Sequence, residues 1–141
     1  MGGLTWERER AATWDADKQR IVGEAPVGIF DTRYRELRPG APVPGEWWRA
    51  VQGGRTAAYG WLEVVWGDAE ILLAVAPEHR GKGIGSFVLE QLEREAKGRG
   101  LRYIYNEVRP THPEGAKLSA WLAKRGFKGS EDGRLLRAVV R

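Results

Sequence analysis

Apolar residues fall along this chain in two rhythms. Between Trp47 and Val75 they alternate or run in short blocks broken by glycine, as in strands; between Ile84 and Ala96 they recur every three or four residues, as on a helix with one buried face. Trp47–Gln52, Thr56–Trp66 and Ala69–Val75 read as three strands. Gly53-Gly54 and Gly67-Asp68 suit the two-residue loops that need positive φ, so these strands form an antiparallel meander. Ile84, Phe87, Val88, Leu92 and Ala96 share one face of a helix running from Gly83 to Lys97, with Gly98 as its left-handed cap. Tyr103–Val108 follows as a strand, and strand–helix–strand implies a parallel pair. A last helix opens at Thr111, where Glu114 completes a Ser/Thr-x-x-Glu box and Pro113 sits in the first turn. Leu118, Trp121, Leu122 and Arg125 lie on one face of it, and Gly126 ends it. Phe127 starts a further strand, Glu131-Asp132-Gly133 turns the chain, and Leu135–Val140 is the final strand. Ahead of the meander, Leu4–Arg10 suits a strand and Asp15 to Val22 a short helix. The Pro- and Gly-rich stretch 23–45 suits loops with one short helix near Thr32–Leu37. The chain is thus α/β, with a mixed and mostly antiparallel sheet.

The passage from strand to helix carries the strongest chemical signal. Val75-Ala-Pro-Glu-His-Arg80-Gly-Lys-Gly83-Ile-Gly85-Ser86 takes a buried strand through glycines into a helix N-terminus, where unpaired amides and a partial positive charge favour an anion. Arg80 and Lys82 add full charges. The spacing fits neither a Walker P-loop nor the G-x-G-x-x-G dinucleotide fingerprint.

Composition narrows the classes. The 141 residues predict a single domain over 1–141. No apolar run approaches the ~20 residues of a membrane span, and the N-terminus lacks a secretory pattern, so a soluble, cytoplasmic protein without membrane contact is expected. There is no cysteine, and with only His79 and His112 no metal site is expected. The net charge of +4 suits an anionic ligand; its cations are scattered among acids rather than striped, which argues against nucleic acid.

The turns also assign faces. With Gly67-Asp68 as the loop, Val65 pairs with Glu70, Glu63 with Leu72 and Trp61 with Ala74; with Gly53-Gly54 as the other, Trp48 pairs with Tyr59. Trp48, Tyr59, Trp61, Glu63 and Glu70 then share one face. Trp47, Val51, Leu62, Val64, Trp66, Ile71, Leu73 and Val75 form an apolar face opposite. Aromatic rings beside carboxylates suit a cationic amine, with Trp48, Tyr59 and Trp61 holding it and Glu70 or Glu63 as general base. The alternative is that Trp48 and Trp61 pack under the N-terminal helix while the glutamates stay in water. A one-residue slip in either hairpin reverses the assignment.

Arg80-Gly-Lys-Gly83-Ile-Gly85 resembles the R/Q-x-x-G-x-G/A signature of the GNAT N-acetyltransferase superfamily, and the order of elements is similar over nearly the whole chain. The resemblance implies a GNAT-like fold, a sheet of about seven strands with helices on both faces, and acetyl-CoA as cosubstrate with no metal. It places Arg80, Gly81, Lys82, Gly83, Ile84, Gly85 and Ser86 around the pyrophosphate. Backbone amides of Leu73, Ala74 and Val75 are placed against the acetyl oxygen and pantetheine, in a wedge between the fourth and fifth strands. Histone-type members carry a catalytic glutamate where this chain has Ala69, one step from Glu70. Many members end in Asn-x-x-Ala-x-x-Leu-Tyr-x-x-x-Gly-Phe. Here Gly115, Leu118, Trp121 and Leu122 take the Asn, Ala, Leu and Tyr positions, so Trp121 joins the cofactor side and the usual acid is missing. Tyr105 or His112 are the replacement acids, and Asn106 a partner for the pantetheine amide.

The expected activity is acetyl transfer from acetyl-CoA to a primary amine of a small molecule. Acetylation of a protein lysine or N-terminus, and a non-catalytic acyl-CoA sensor, are the alternatives. The final strands leave room for a homodimer.

Overall fold

The computed structural model describes residues 3–25, 33–108, 112–129 and 134–138. The cap at Thr111, the turn Glu131–Gly133, the start of the helix near Thr32 and the end of the last strand lie outside them. Seven strands form one sheet in the order β1-β2-β3-β4-β5-β7-β6. They are β1 (Thr5–Arg8), β2 (Glu46–Gln52), β3 (Arg55–Val65), β4 (Asp68–Val75), β5 (Tyr103–Asn106), β6 (Lys128–Gly129) and β7 (Leu135–Ala138). Among the described residues only β4 and β5 run parallel. The helices are α1 (Ala16–Lys18), continued as a π-helical turn Gln19–Gly23, then α2 (Arg33–Glu36), α3 (Ile84–Gly98) and α4 (Gly115–Ala123). No helix among the described residues is long and apolar enough to cross a membrane.

The amphipathic α3 lies on one face of the sheet, burying Ile84, Val88, Leu89, Leu92 and Ala96 against Leu62, Ile71 and Ile104. Leu122 of α4 joins the same core. The opposite face carries a second cluster in which Trp14, Ile21 and Val22 cover Trp47, Tyr59 and Trp61. The helix α3 includes Gly98 as its last residue. Gly100, at φ +69°, is the left-handed residue instead, and the amides of Gly100 and Leu101 return to the carbonyls of Lys97 and Ala96 in a Schellman closure.

Both hairpins differ from the sequence expectation, with different consequences. The β3–β4 turn is Trp66-Gly67, at φ +52° and +82°, so Glu63 faces Glu70, Trp61 faces Leu72 and Tyr59 faces Ala74. Each partner moves by two residues, an even shift that leaves the faces unchanged. The β2–β3 turn is Gly53-Gly54 as expected, but the register shifts between Ala50 and Val51, where Thr56 and Ala58 are successive partners and Ala57 is the extra residue. That single-residue bulge reverses everything beyond it. Trp48 pairs with Gly60 and Trp47 with Trp61. Trp48 therefore leaves the aromatic face for the α3 side, where it stacks on Trp6 at 5.9 Å and 5°, and Trp47 takes its place. Trp66 and Val64 are 93% and 45% exposed rather than core, Trp66 because it forms the turn itself and Val64 because it lies at the hairpin tip.

Candidate active site at the strand fork

Parallel pairing of β4 and β5 stops after Ala69–Ile104 and Glu70–Tyr105. The next link is made by a side chain: Asn106 Nδ2 donates to the Ile71 carbonyl at 2.9 Å. Backbone groups of residues two apart in a strand point the same way. Leu73 and Val75, in phase with Ile71, thus turn their N–H and C=O into the gap that opens beyond. Ala74 is out of phase and directs its amide to β3, as does Ala76, whose N–H reaches the Ala57 carbonyl at 2.8 Å. Of the three amides expected to meet a ligand, two are offered and Ala74 contributes only its methyl group.

The gap widens into a cleft of about 580 Å³ that reaches the N-terminus of α3. A 3₁₀ turn Pro77–His79 leads to Gly81 and Gly83, at φ +77° and +78°. A Cβ on either would meet nothing within 4 Å, so backbone conformation and not crowding selects glycine there. Gly83 is the N-cap and makes no side-chain cap bond. The amides of Ile84, Gly85 and Ser86 stand ahead of the first helical bond, Phe87 N to Gly83 O at 3.2 Å, and suit a phosphate. Arg80, Gly81, Gly83, Ile84, Gly85 and Ser86 line the cleft; Lys82 is exposed beside it.

The far wall comes from α4. The Arg125 guanidinium lies 3.8 Å from the Trp121 ring centre and donates from Nη2 to Ser86 Oγ at 2.8 Å. A Cβ on Gly85 would stand 3.4 Å from Trp121 Cζ2, so Trp121 closes directly over the loop. Leu122 is 1% exposed in the apolar core and offers no hydroxyl. His112 Nδ1 accepts the Glu114 N–H at 2.9 Å near the start of α4, and its side chain lines the cleft.

Glu63, Glu70 and Tyr105 stand side by side across β3, β4 and β5. Burial holds the Glu70 carboxyl above the usual range, helped by Glu63 and Glu107 and opposed by Arg134. Burial, then the Glu70 charge, likewise raises the Tyr105 phenol. None of the three lines the cleft. Among the described residues the acidic ones that do are Glu107 and Glu114. Sequence reasoning passed over Glu107; its signal was its place directly after β5, where the chain leaves the sheet at the fork.

The aromatic face is not open to an amine in the expected way. Trp47, Tyr59 and Trp61 are 3%, 1% and 5% exposed, and both indole N–H groups donate to the Pro44 carbonyl at 2.9 and 3.0 Å. A cation already sits there. Lys18 Nζ lies 5.3 Å from the Trp47 ring and 5.1 Å from the Tyr59 ring, bonded to Glu9 Oε1 at 2.7 Å and Asp15 Oδ2 at 3.3 Å. About 10 Å³ of space remains beside the rings. Of the three residues expected to hold substrate, Trp48 lies on the other face, Tyr59 packs against the protein's own lysine, and Trp61 is buried in the same cluster with its indole bonded to Pro44.

Among the described residues no group of three or more His, Cys, Asp or Glu is placed to hold a metal.

Comparisons bear on this geometry. The ribosomal-protein-S18-alanine N-acetyltransferase of Escherichia coli has the same fold at TM-score 0.68 and 20% identity, over 99% of this chain and 96% of that one. The IAA acetyltransferase of Bacillus cereus gives 0.68 at 21% identity, over 96% and 99%. The GNAT superfamily phosphinothricin acetyltransferase of Sinorhizobium meliloti, solved in complex with AcCoA, gives 0.64 at 17% identity, over 96% and 88%. A search of curated proteins by sequence finds no match. The family model for the acetyltransferase (GNAT) family matches residues 7–127, most of the chain and the whole of the glycine loop, and the chain belongs to the GNAT acetyltransferase family.

Proposed function

We propose that this protein is an acetyl-CoA-dependent N-acetyltransferase whose acceptor is a primary amine of a small molecule. The carrying observation is the continuity of one cleft from the α3 amides to the free backbone groups of Leu73 and Val75. A long ligand with anionic phosphates at one end and amides along its arm suits both parts. Acetyl-CoA supplies an activated thioester. The α3 N-terminus with Arg80 and Lys82 would hold its phosphates, and Leu73 and Val75 would pair its arm as a missing strand does.

An amine must lose a proton as its nitrogen attacks the acyl carbon and the C–S bond breaks. Glu107, which lines the cleft, would accept that proton, and Glu70 lies near enough to feel its charge. No tyrosine occupies the position of Leu122, so the departing thiolate would take its proton from water or from His112. An ordinary thiol has a pKa near ~8.5, which makes a strong acid unnecessary.

The buried Leu122 also favours a second reading, a non-catalytic acyl-CoA-binding module. Acetylation of a protein lysine or N-terminus is a further alternative on the acceptor side only; the Escherichia coli neighbour is named as a ribosomal-protein-S18-alanine N-acetyltransferase. Thermal shift with coenzyme A and thiol release from acetyl-CoA with a panel of amines and N-terminal peptides separate these readings. Stabilisation with amine-dependent thiol release is expected. Stabilisation without release on any acceptor would favour the binding module, and no stabilisation at millimolar coenzyme A would overturn the proposal.

A further inference from the structure

We propose that Asn106 is the floor of the acyl pocket and restricts this protein to short acyl groups, an inference that rests on the acyl-CoA reading above. The Asn106 amide can have only one orientation, because the Ile71 carbonyl accepts and cannot donate, so Nδ2 must face it. Oδ1 is then fixed on the other side, where it is buried without a partner. A buried acceptor with no donor calls for an explanation. Its place supplies one: Asn106 lines the cleft at the rung directly above the last strand pair, Glu70–Tyr105.

The phosphate end is fixed by the α3 loop, so an extended arm descends along β4 from Val75 past Leu73, and its acyl end arrives at Ile71 and Asn106. Four residues of strand span about 13 Å. Beneath that level Ala69 and Ile104 have no exposed surface, and a longer chain has nowhere to go without displacing the Asn106 link. A longer chain that displaced the link would also leave the Ile71 carbonyl without the Asn106 donor, beside an Oδ1 that is already buried and unpartnered. Bulk and polarity act in the same direction.

The test is calorimetric titration of the full chain with acetyl-CoA, butyryl-CoA and free coenzyme A, for wild type, Asn106→Ala and Asn106→Ser. Wild type is expected to bind acetyl-CoA about tenfold or more tightly than butyryl-CoA, and both variants to bring the two within about threefold. A purely structural role would weaken both thioesters alike and leave their ratio intact, as would partial unfolding of a variant. A wild-type ratio within threefold, or variants that keep the wild-type ratio, would overturn the proposal. Failure of wild type to bind any of the three ligands would overturn the acyl-CoA reading itself and this proposal with it.

Discussion

The ammonium of Lys18 lies 5.1 Å from the centre of the Tyr59 ring, and the Tyr59 hydroxyl donates to Asp15 Oδ1 at 3.3 Å on the same side. Lys18 has no exposed surface, and its partner Glu9 is only 12% exposed. Removing one member of such a pair strands the other in a poorly solvated place, at a cost of about 3 kcal/mol. Lys18→Met should therefore lower the melting temperature by roughly 10 °C, and adding Glu9→Gln should recover part of the loss. A melting temperature within about 2 °C of wild type would mean that Lys18 contributes packing alone.

Gly83 and Gly85 are both glycines of the signature, but the structure asks different things of them. Gly83 is in the left-handed region with open space around it, whereas a Cβ on Gly85 would make ordinary contacts with Trp121 at 3.4 Å and Val75 at 3.9 Å. Gly83→Ala should strain the loop by about 1–2 kcal/mol and displace the amides that face the phosphates, raising the KM for acetyl-CoA roughly tenfold or more. Gly85→Ala should leave KM within about threefold and the melting temperature unchanged or slightly higher, since alanine favours the helix. Equal effects would show that the loop does not bind through its conformation.

Periodicity located the meander, α3, β5 and α4, and the glycine loop led to the cleft, because burial patterns and turn residues are written locally. The faces of β3 and β4 were also legible, since a turn misplaced by an even shift leaves alternation intact. The bulge at Ala57 was not. Nothing in Arg55-Thr-Ala-Ala-Tyr59 distinguishes two rungs from three, because alanine fits either side of the pleat, whereas in the fold Trp48 finds its stacking partner in the distant Trp6. Trp47 and Trp48 exchanged faces as a result. Lys18 was equally hidden: a lysine in a short helix reads as solvated until the fold brings Glu9, Asp15 and two rings around it. Tertiary contacts between separate segments decided both cases, as they did the choice of Glu107 over Glu63 and Glu70 as the carboxylate on the cleft.

Glu70 carries a cost that titrates. Its folded pKa is raised, first by burial and then by Glu63 and Glu107, so the folded state holds a proton that the unfolded state releases. Stability attributable to this group is greatest below the unfolded carboxyl value of about 4.3 and is lost as pH rises to the raised folded value, above which the penalty stays constant. Glu70→Gln removes the charge and should melt higher than wild type at pH 7 to 8, by a few degrees at most, with the gap closing as pH falls toward 4. A gap that is constant over this range would show that the substitution acts through packing.

The same carboxylates separate under turnover. A general base must reach the proton it removes, and Glu107 alone of the three lines the cleft, while Glu63 and Glu70 lie in the row beside it. Loss of a general base typically costs 10²-fold or more. Glu107→Gln should therefore reduce kcat for acetyl transfer to an accepted amine by about 10²-fold with the KM for acetyl-CoA nearly unchanged. Glu70→Gln and Glu63→Gln, at residues off the cleft, should leave kcat within about tenfold of wild type. Should Glu70→Gln abolish turnover while Glu107→Gln keeps most of it, the base would be Glu70, and the acceptor would have to approach from the open face of β4 rather than through the fork.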